Sequence, residues 1–165
     1  MEIEKKVLIA VDLNFETGFI LSKAASFFRE TSAKFYIFHI IYSDIFTFLG
    51  KPGTVKAKSE EAYKSVENEL KNAGLYYLNY EIFISTGVPA AEIINFSKKK
   101  GVDIIALGTH QRIGFKEFVS GSVSFSVSKN SICPVLLIPL KDILKSEAKQ
   151  LVEEPAASLI NINPS

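Results

Sequence analysis

Short apolar runs that alternate with segments of helical length constrain this chain more than any other feature of its sequence. The runs are Val7 to Val11, Phe35 to Ile41, Tyr76 to Ile84, Asp103-Ile-Ile-Ala-Leu107 and Val135 to Ile138. Aliphatic and β-branched residues in so short a stretch read as strands, most of them buried on both faces. Between the runs, apolar residues recur at helical spacing. Ile20, Ala24, Phe27 and Phe28 form one stripe, ending at about Thr31. Tyr63, Val66, Leu70 and Ala73 form a second, from about Val55. Ile93, Ile94 and Ser97 form a third, and Val119, Val123 and Val127 a fourth, on a helix from about Ser120 to Lys129. Strand, helix and strand in so few residues imply right-handed crossovers and parallel pairing. The expected fold is therefore α/β, an open five-stranded parallel sheet with helices on both faces.

Local punctuation agrees with this rhythm. Asn14 can cap the first helix, Gly74 is a natural residue just past the second, and Pro89 opens the third. Lys98 to Lys100 suit the negative end of that third helix, with Gly101 beyond it. The chain has 165 residues, one domain's worth with room for a core. We expect that domain over residues 1–140. In the extension 141–165, Leu144, Ala148, Leu151 and Val152 can form a short amphipathic helix, which Glu153-Glu154-Pro155 stops before a loose tail.

In a sheet of this kind ligands gather outside the carboxyl ends of the strands, where the winding reverses. Asp12, Ile40 and Gly108 each end a strand, so three turns converge on one crevice. After Gly108 the chain reads Thr-His110-Gln111-Arg-Ile-Gly114, and a little later Gly121-Ser122-Val123-Ser124 at a helix start. This is a phosphate cradle in outline. Unpaired N–H groups of a first helical turn attract anions, and glycine lets the backbone approach a phosphate.

Composition excludes several other classes. With 19 Lys plus Arg against 18 Asp plus Glu, no basic field exists to hold a nucleic-acid backbone. Lys56, Lys58 and Lys98 to Lys100 read as solvated helix faces. The single cysteine, Cys133, excludes a disulfide framework and a CxxC metal knuckle, fits a reducing compartment, and reads as inert. The N-terminus shows no apolar signal region, and no stretch reaches the ~20 apolar residues of a membrane helix. A cytoplasmic protein is expected. His39, in an apolar strand, reads as a satisfied core histidine. Ser120, Ser122, Ser124, Ser126 and Ser128 alternate at a spacing that scatters them around a helix, so only those of the first turn are site candidates. Ile45, Phe46, Phe48 and Leu49 form an apolar loop that reads equally as a lid or as a satellite core, with a partner surface as a further option. No general base with an orienting partner and no GxxxxGK[ST] loop is present, which argues against dedicated catalytic machinery while leaving slow hydrolysis of a bound phosphate ester open.

Together these residues resemble the universal stress protein family over roughly Lys5 to Leu140. The carriers are Val-Leu-Ile-Ala-Val-Asp12, Phe38-His39-Ile40, Gly87-Val88-Pro89, Asp103-Ile-Ile-Ala-Leu-Gly108-Thr-His110, Gly121-Ser122-Val123 and Cys133-Pro134-Val135. The resemblance implies a Rossmann-like sheet of the adenine nucleotide alpha hydrolase type. It also implies a stress-response or signalling module that binds ATP, with Mg or Mn accompanying the nucleotide. The family's ATP binders share a loop of Gly, two residues, Gly, nine residues, then Gly-Ser or Gly-Thr. Gly108 matches its start and Gly121-Ser122 its end, while Gln111 stands where the middle glycine would be. A Cβ there crowds a backbone that runs close to the phosphates, although the Gln111 amide could also donate to one.

By the same resemblance Asp12 and Ile40 contact the adenosine, with Ala10 and Val11 beside them acting through backbone or shape. Leu107, Gly108, His110 and Gln111 line the loop. Gly121, Ser122 and Ser124, flanking Val123, present N–H and hydroxyl groups to the phosphates. A homodimer joined through Val135 to Ile138 is also implied. The alternative is a dimeric interaction protein of the same family without nucleotide. A substrate-adenylating enzyme of related fold is a third reading, but no second substrate-binding segment is apparent.

Overall fold

The middle of the sheet is the strand that can least tolerate water. In the computed structural model, which describes residues 3–42, 52–109 and 123–140, β1 (Lys5–Val11) has its last five residues, Val7 to Val11, buried. It is flanked by β2 (Ala33–Tyr42) and β4 (Ile104–Thr109). Beyond these lie β3 (Tyr80–Gly87) and β5 (Val135–Pro139), in the order β3-β2-β1-β4-β5. All neighbouring pairs run parallel, with Ala10 opposite Phe38 on one side and Leu107 on the other. Among the described residues, four helices connect the strands: α1 (Thr17–Phe27), α2 (Pro52–Asn72), α3 (Pro89–Lys100) and α4 (Val123–Asn130).

Because successive strand side chains point to opposite faces, β1 feeds two cores at once. Val7, Ile9 and Val11 join Ile20, Leu21 and Ala24 of α1 with Val66 and Leu70 of α2. Leu8 and Ala10 join Ile93 of α3 and Val127 of α4, together with Tyr36 and Phe38 of β2. The sheet is thus covered on both faces, as the runs without polar alternation predict.

The differences from expectation lie at element ends and on helix faces. The third strand begins at Tyr80, while Tyr76 and Tyr77 stand in a turn, 72% and 71% exposed. Aromatic β-propensity suggested strand there, but Leu75 N–H donates to Leu70 O to close α2, and Leu78 N–H donates back to Leu75 O. In α1 the inner stripe is Ile20, Leu21, Ala24 and Ala25, continued by Phe28, and Phe27 faces outward. In α2, Ala62 is buried where Tyr63 was expected. Val127 is fully buried, whereas Val123, at the start of α4, is exposed. Val119, the 45–49 apolar loop and the 141–165 extension lie outside the described residues. Among those described, no helix is long and apolar enough to cross a membrane.

Gly101 caps α3 in the left-handed region at φ 62°, and a Cβ added there would meet no atom within 4 Å. The cost of a side chain at this position is therefore purely conformational. Gly101→Ala is expected to lower unfolding free energy by about 1 kcal/mol, and Gly101→Asn by less, in urea titrations. Equal stability of all three proteins would contradict this backbone assignment.

Candidate functional site

The winding reverses between β1 and β4. From β1 the chain moves outward through α1, β2, α2 and β3, then returns across the sheet through α3 to β4. The helices leaving the two halves lie on opposite faces, so among the described residues no helix or strand covers the gap between the carboxyl ends of β1 and β4. A cavity of about 170 Å³ lies there. β1 contributes Ala10 and Val11, and Asp12 just beyond; β2 contributes Ile40, and β4 Leu107 and Gly108. Ile20 of α1 closes one side and Pro89 with Ile93 of α3 the other, while Val123 and Leu140 complete the wall. Apart from Asp12, every one of these residues is apolar or glycine.

Gly108 controls how closely α1 approaches the sheet. A Cβ at this position would come within 2.7 Å of Ile20 Cδ1 and 3.0 Å of Leu140 Cδ1. Leu140 is itself held by donation of its N–H to Thr109 O. The glycine therefore answers a packing demand in the wall of the cavity, in addition to opening the loop that follows.

Asp12 is exposed at the rim, and the turn after it is tightly determined. Leu13 adopts φ 59°, a left-handed conformation that costs a residue with a side chain roughly 1–2 kcal/mol. Its side chain packs against the α1 and α2 core. Asn14 does not cap α1, as its residue type suggested, but folds the turn before it. Its Oδ1 accepts from Glu16 N–H at 2.9 Å, and its Nδ2 donates to Asp12 Oδ2 at 2.9 Å and to Glu16 Oε2 at 3.1 Å. Glu16, at the N-cap position, is 4% exposed. On the neighbouring strand, His39 Nδ1 lies 2.9 Å from Val11 O. A carbonyl only accepts, so this ring nitrogen carries the proton. His39 thereby steadies the carbonyl that precedes Asp12 and is satisfied, as its apolar surroundings implied.

Of the residues singled out from sequence, the structure brings Ala10, Val11, Asp12, Ile40, Leu107, Gly108 and Val123 to the one cavity. Ser124 is not among the lining residues; its hydroxyl lies 3.5 Å from that of Thr109. His110, Gln111, Gly121 and Ser122 lie outside the described residues. Sequence reasoning missed Ile20, Pro89, Ile93 and Leu140. Ile20, Pro89 and Ile93 had been assigned to helix stripes or starts, and their nearness to strand ends was the available signal. Among the described residues no group of three His, Cys, Asp or Glu side chains could hold a metal ion.

The family model described as "Universal stress protein family" matches residues 4–139. The chain is 32% identical over 145 residues to universal stress protein YxiE of Bacillus subtilis, covering 81% of this chain and 97% of that protein. The solved structure of MJ0577, from Methanocaldococcus jannaschii, superposes with a TM-score of 0.67 at 29% identity, over 83% of this chain and 96% of that one. A universal stress protein from Archaeoglobus fulgidus, solved in complex with dAMP, gives 0.59 at 17% identity over 84% and 99% of the two chains.

The contact at Gly108 gives a direct test of the wall. Gly108→Ala is expected to destabilise by about 1–3 kcal/mol through overpacking. Ile20→Val removes the methyl that the new Cβ would strike, so the double variant should be more stable than the sum of the single changes allows. Strict additivity in a denaturant-based double-mutant cycle would show that α1 does not pack on Gly108 in this way.

Proposed function

The chain belongs to the universal stress protein family, and from that premise we propose that the cavity between β1 and β4 binds an adenine nucleotide, ATP above all. The protein then acts as a nucleotide-responsive stress or signalling module without dedicated catalytic machinery. The observation that carries this reading is the lining of the cavity: apolar walls from both faces of the sheet and, among the described residues, a single carboxylate, Asp12, at the rim. Apolar walls suit a purine ring, and a carboxylate at a strand end suits the hydroxyls of its sugar. The fold neighbour that holds dAMP supports the choice of adenine.

In this reading Ile40, Ala10 and Val11 form the floor beneath the adenosine. The segment from Leu107 and Gly108 through His110 and Gln111 to Gly121, Ser122, Val123 and Ser124 receives the phosphates. A Mg or Mn ion would be held chiefly by phosphate oxygens. Residues 1–140 form the nucleotide-binding domain, with 141–165 as an extension. The single cysteine favours a cytoplasmic setting. A homodimer through β5 would cover an open edge on which Val135, Leu136 and Leu137 are only half-buried.

Gln111 favours a second reading, in which the same fold serves as a dimeric interaction protein without nucleotide. Titration calorimetry with ATP and magnesium separates the two. The first reading expects saturable 1:1 binding, tightened several-fold by Gln111→Gly, which removes a Cβ from the phosphate approach. Binding by the wild type that is unchanged or weakened in Gln111→Gly would refute the steric role of that position. No binding by either protein would favour the interaction module.

A further inference from the structure

We infer that Asn14 is a positioning residue for ligand recognition: it holds the Asp12 carboxylate at the cavity rim so that this side chain can accept hydrogen bonds from the sugar hydroxyls of a bound nucleotide. This rests on the adenine-nucleotide reading of the cavity and adds to it a residue that does not line the cavity.

Both hydrogens of the Asn14 amide and its oxygen are committed. Glu16 N–H donates to Oδ1, while Nδ2 donates to Asp12 Oδ2 and Glu16 Oε2. The amide cannot be reversed, since that would set its nitrogen against an N–H donor and its oxygen against two carboxylates. The anchor is firm because Glu16 is almost wholly buried. Leu13, held at φ 59° by its contact with the core, sets the backbone that lets Asn14 reach both carboxylates. Asp12, exposed at a strand end, would otherwise sample several rotamers. With Oδ2 committed to Asn14, its Oδ1 has no hydrogen bond among the described residues.

A neutral amide is the chemistry the position requires. Asp12 and Glu16 would repel one another as bare neighbouring carboxylates, and two N–H donors offset that repulsion without adding charge. An aspartate at 14 would keep the acceptor that Glu16 N–H needs, lose both donors and add a third negative charge. The turn would remain while the hold on Asp12 was released. Because Asp12 is the only charged residue in the described lining, its orientation sets the cavity's discrimination between sugars.

The test compares binding of ATP with that of 2′,3′-dideoxy-ATP, by calorimetry with magnesium, in the wild type, Asn14→Asp, Asp12→Ala and the double variant. The wild type is expected to prefer ATP by about tenfold or more, as hydrogen bonds to a charged acceptor provide. Asn14→Asp should reduce that preference to within about twofold, as should Asp12→Ala, with no further loss in the double variant. A purely structural role for Asn14 would weaken both ligands equally and leave the ratio unchanged. An unchanged ratio in folded Asn14→Asp, together with a lost ratio in Asp12→Ala, would therefore overturn the inference. So would a wild type that binds both ligands equally. Should aspartate at 14 unfold the chain, Asn14→Ser retains an oxygen for Glu16 N–H and carries the same expectation. A wild type that binds neither ligand would remove the nucleotide reading itself, an outcome distinct from failure of the Asn14 role alone.

Discussion

The burial of β1 from both sides is the constraint on which the rest of this structure depends. Its five consecutive buried residues serve two cores, so α1 and α2 must cover one face of the sheet and α3 and α4 the other. Once that strand is central, the order of its neighbours places the change of winding beside it. The crevice at its carboxyl end follows from the topology and needs no special residue to create it.

What the crevice becomes is decided by a few side chains. Gly108 lets Ile20 and Leu140 close in, so apolar groups wall the cavity on that side. Apolar closure would by itself make an unselective pocket. The one charged group of the described lining, Asp12, is held by the turn that runs to Glu16, at the cost of a left-handed leucine. Local strain is tolerated there because the core holds the Leu13 side chain and three hydrogen bonds hold Asn14.

The fold was legible in the sequence because its strongest signal, apolar runs spaced by amphipathic helices, is the one that sheet burial imposes. The misjudged positions were those where two neighbours compete for one role. Phe27 and Phe28 both fit the stripe of α1, and only Phe28 meets Phe35 across the core. Tyr76 and Tyr77 have strand-like side chains, but the C-terminal turn of α2 claims their backbone. Asp12, Ile40 and Gly108 could be placed beside the cavity because strand ends are visible in a sequence. Ile20 and Leu140 could not, since their approach to Gly108 is a three-dimensional contact between segments far apart in the chain. Asn14 was noticed for a plausible reason that proved local: its residue type suits a cap, but only the folded turn shows that it spans two carboxylates.

If the carboxyl ends of β1, β2 and β4 form one adenine-nucleotide site, nucleotide should perturb those ends and leave the rest of the sheet alone. The most direct measurement is an NMR titration of the isotopically labelled protein with ATP and magnesium, following backbone amides strand by strand. Saturable shifts are expected to concentrate at Val11, Asp12, Ile40, Leu107 and Gly108, with the amino ends of the same strands, Lys5, Ala33 and Ile104, left in place. Shifts confined to those amino ends or to the β5 edge, or none at millimolar nucleotide, would contradict it.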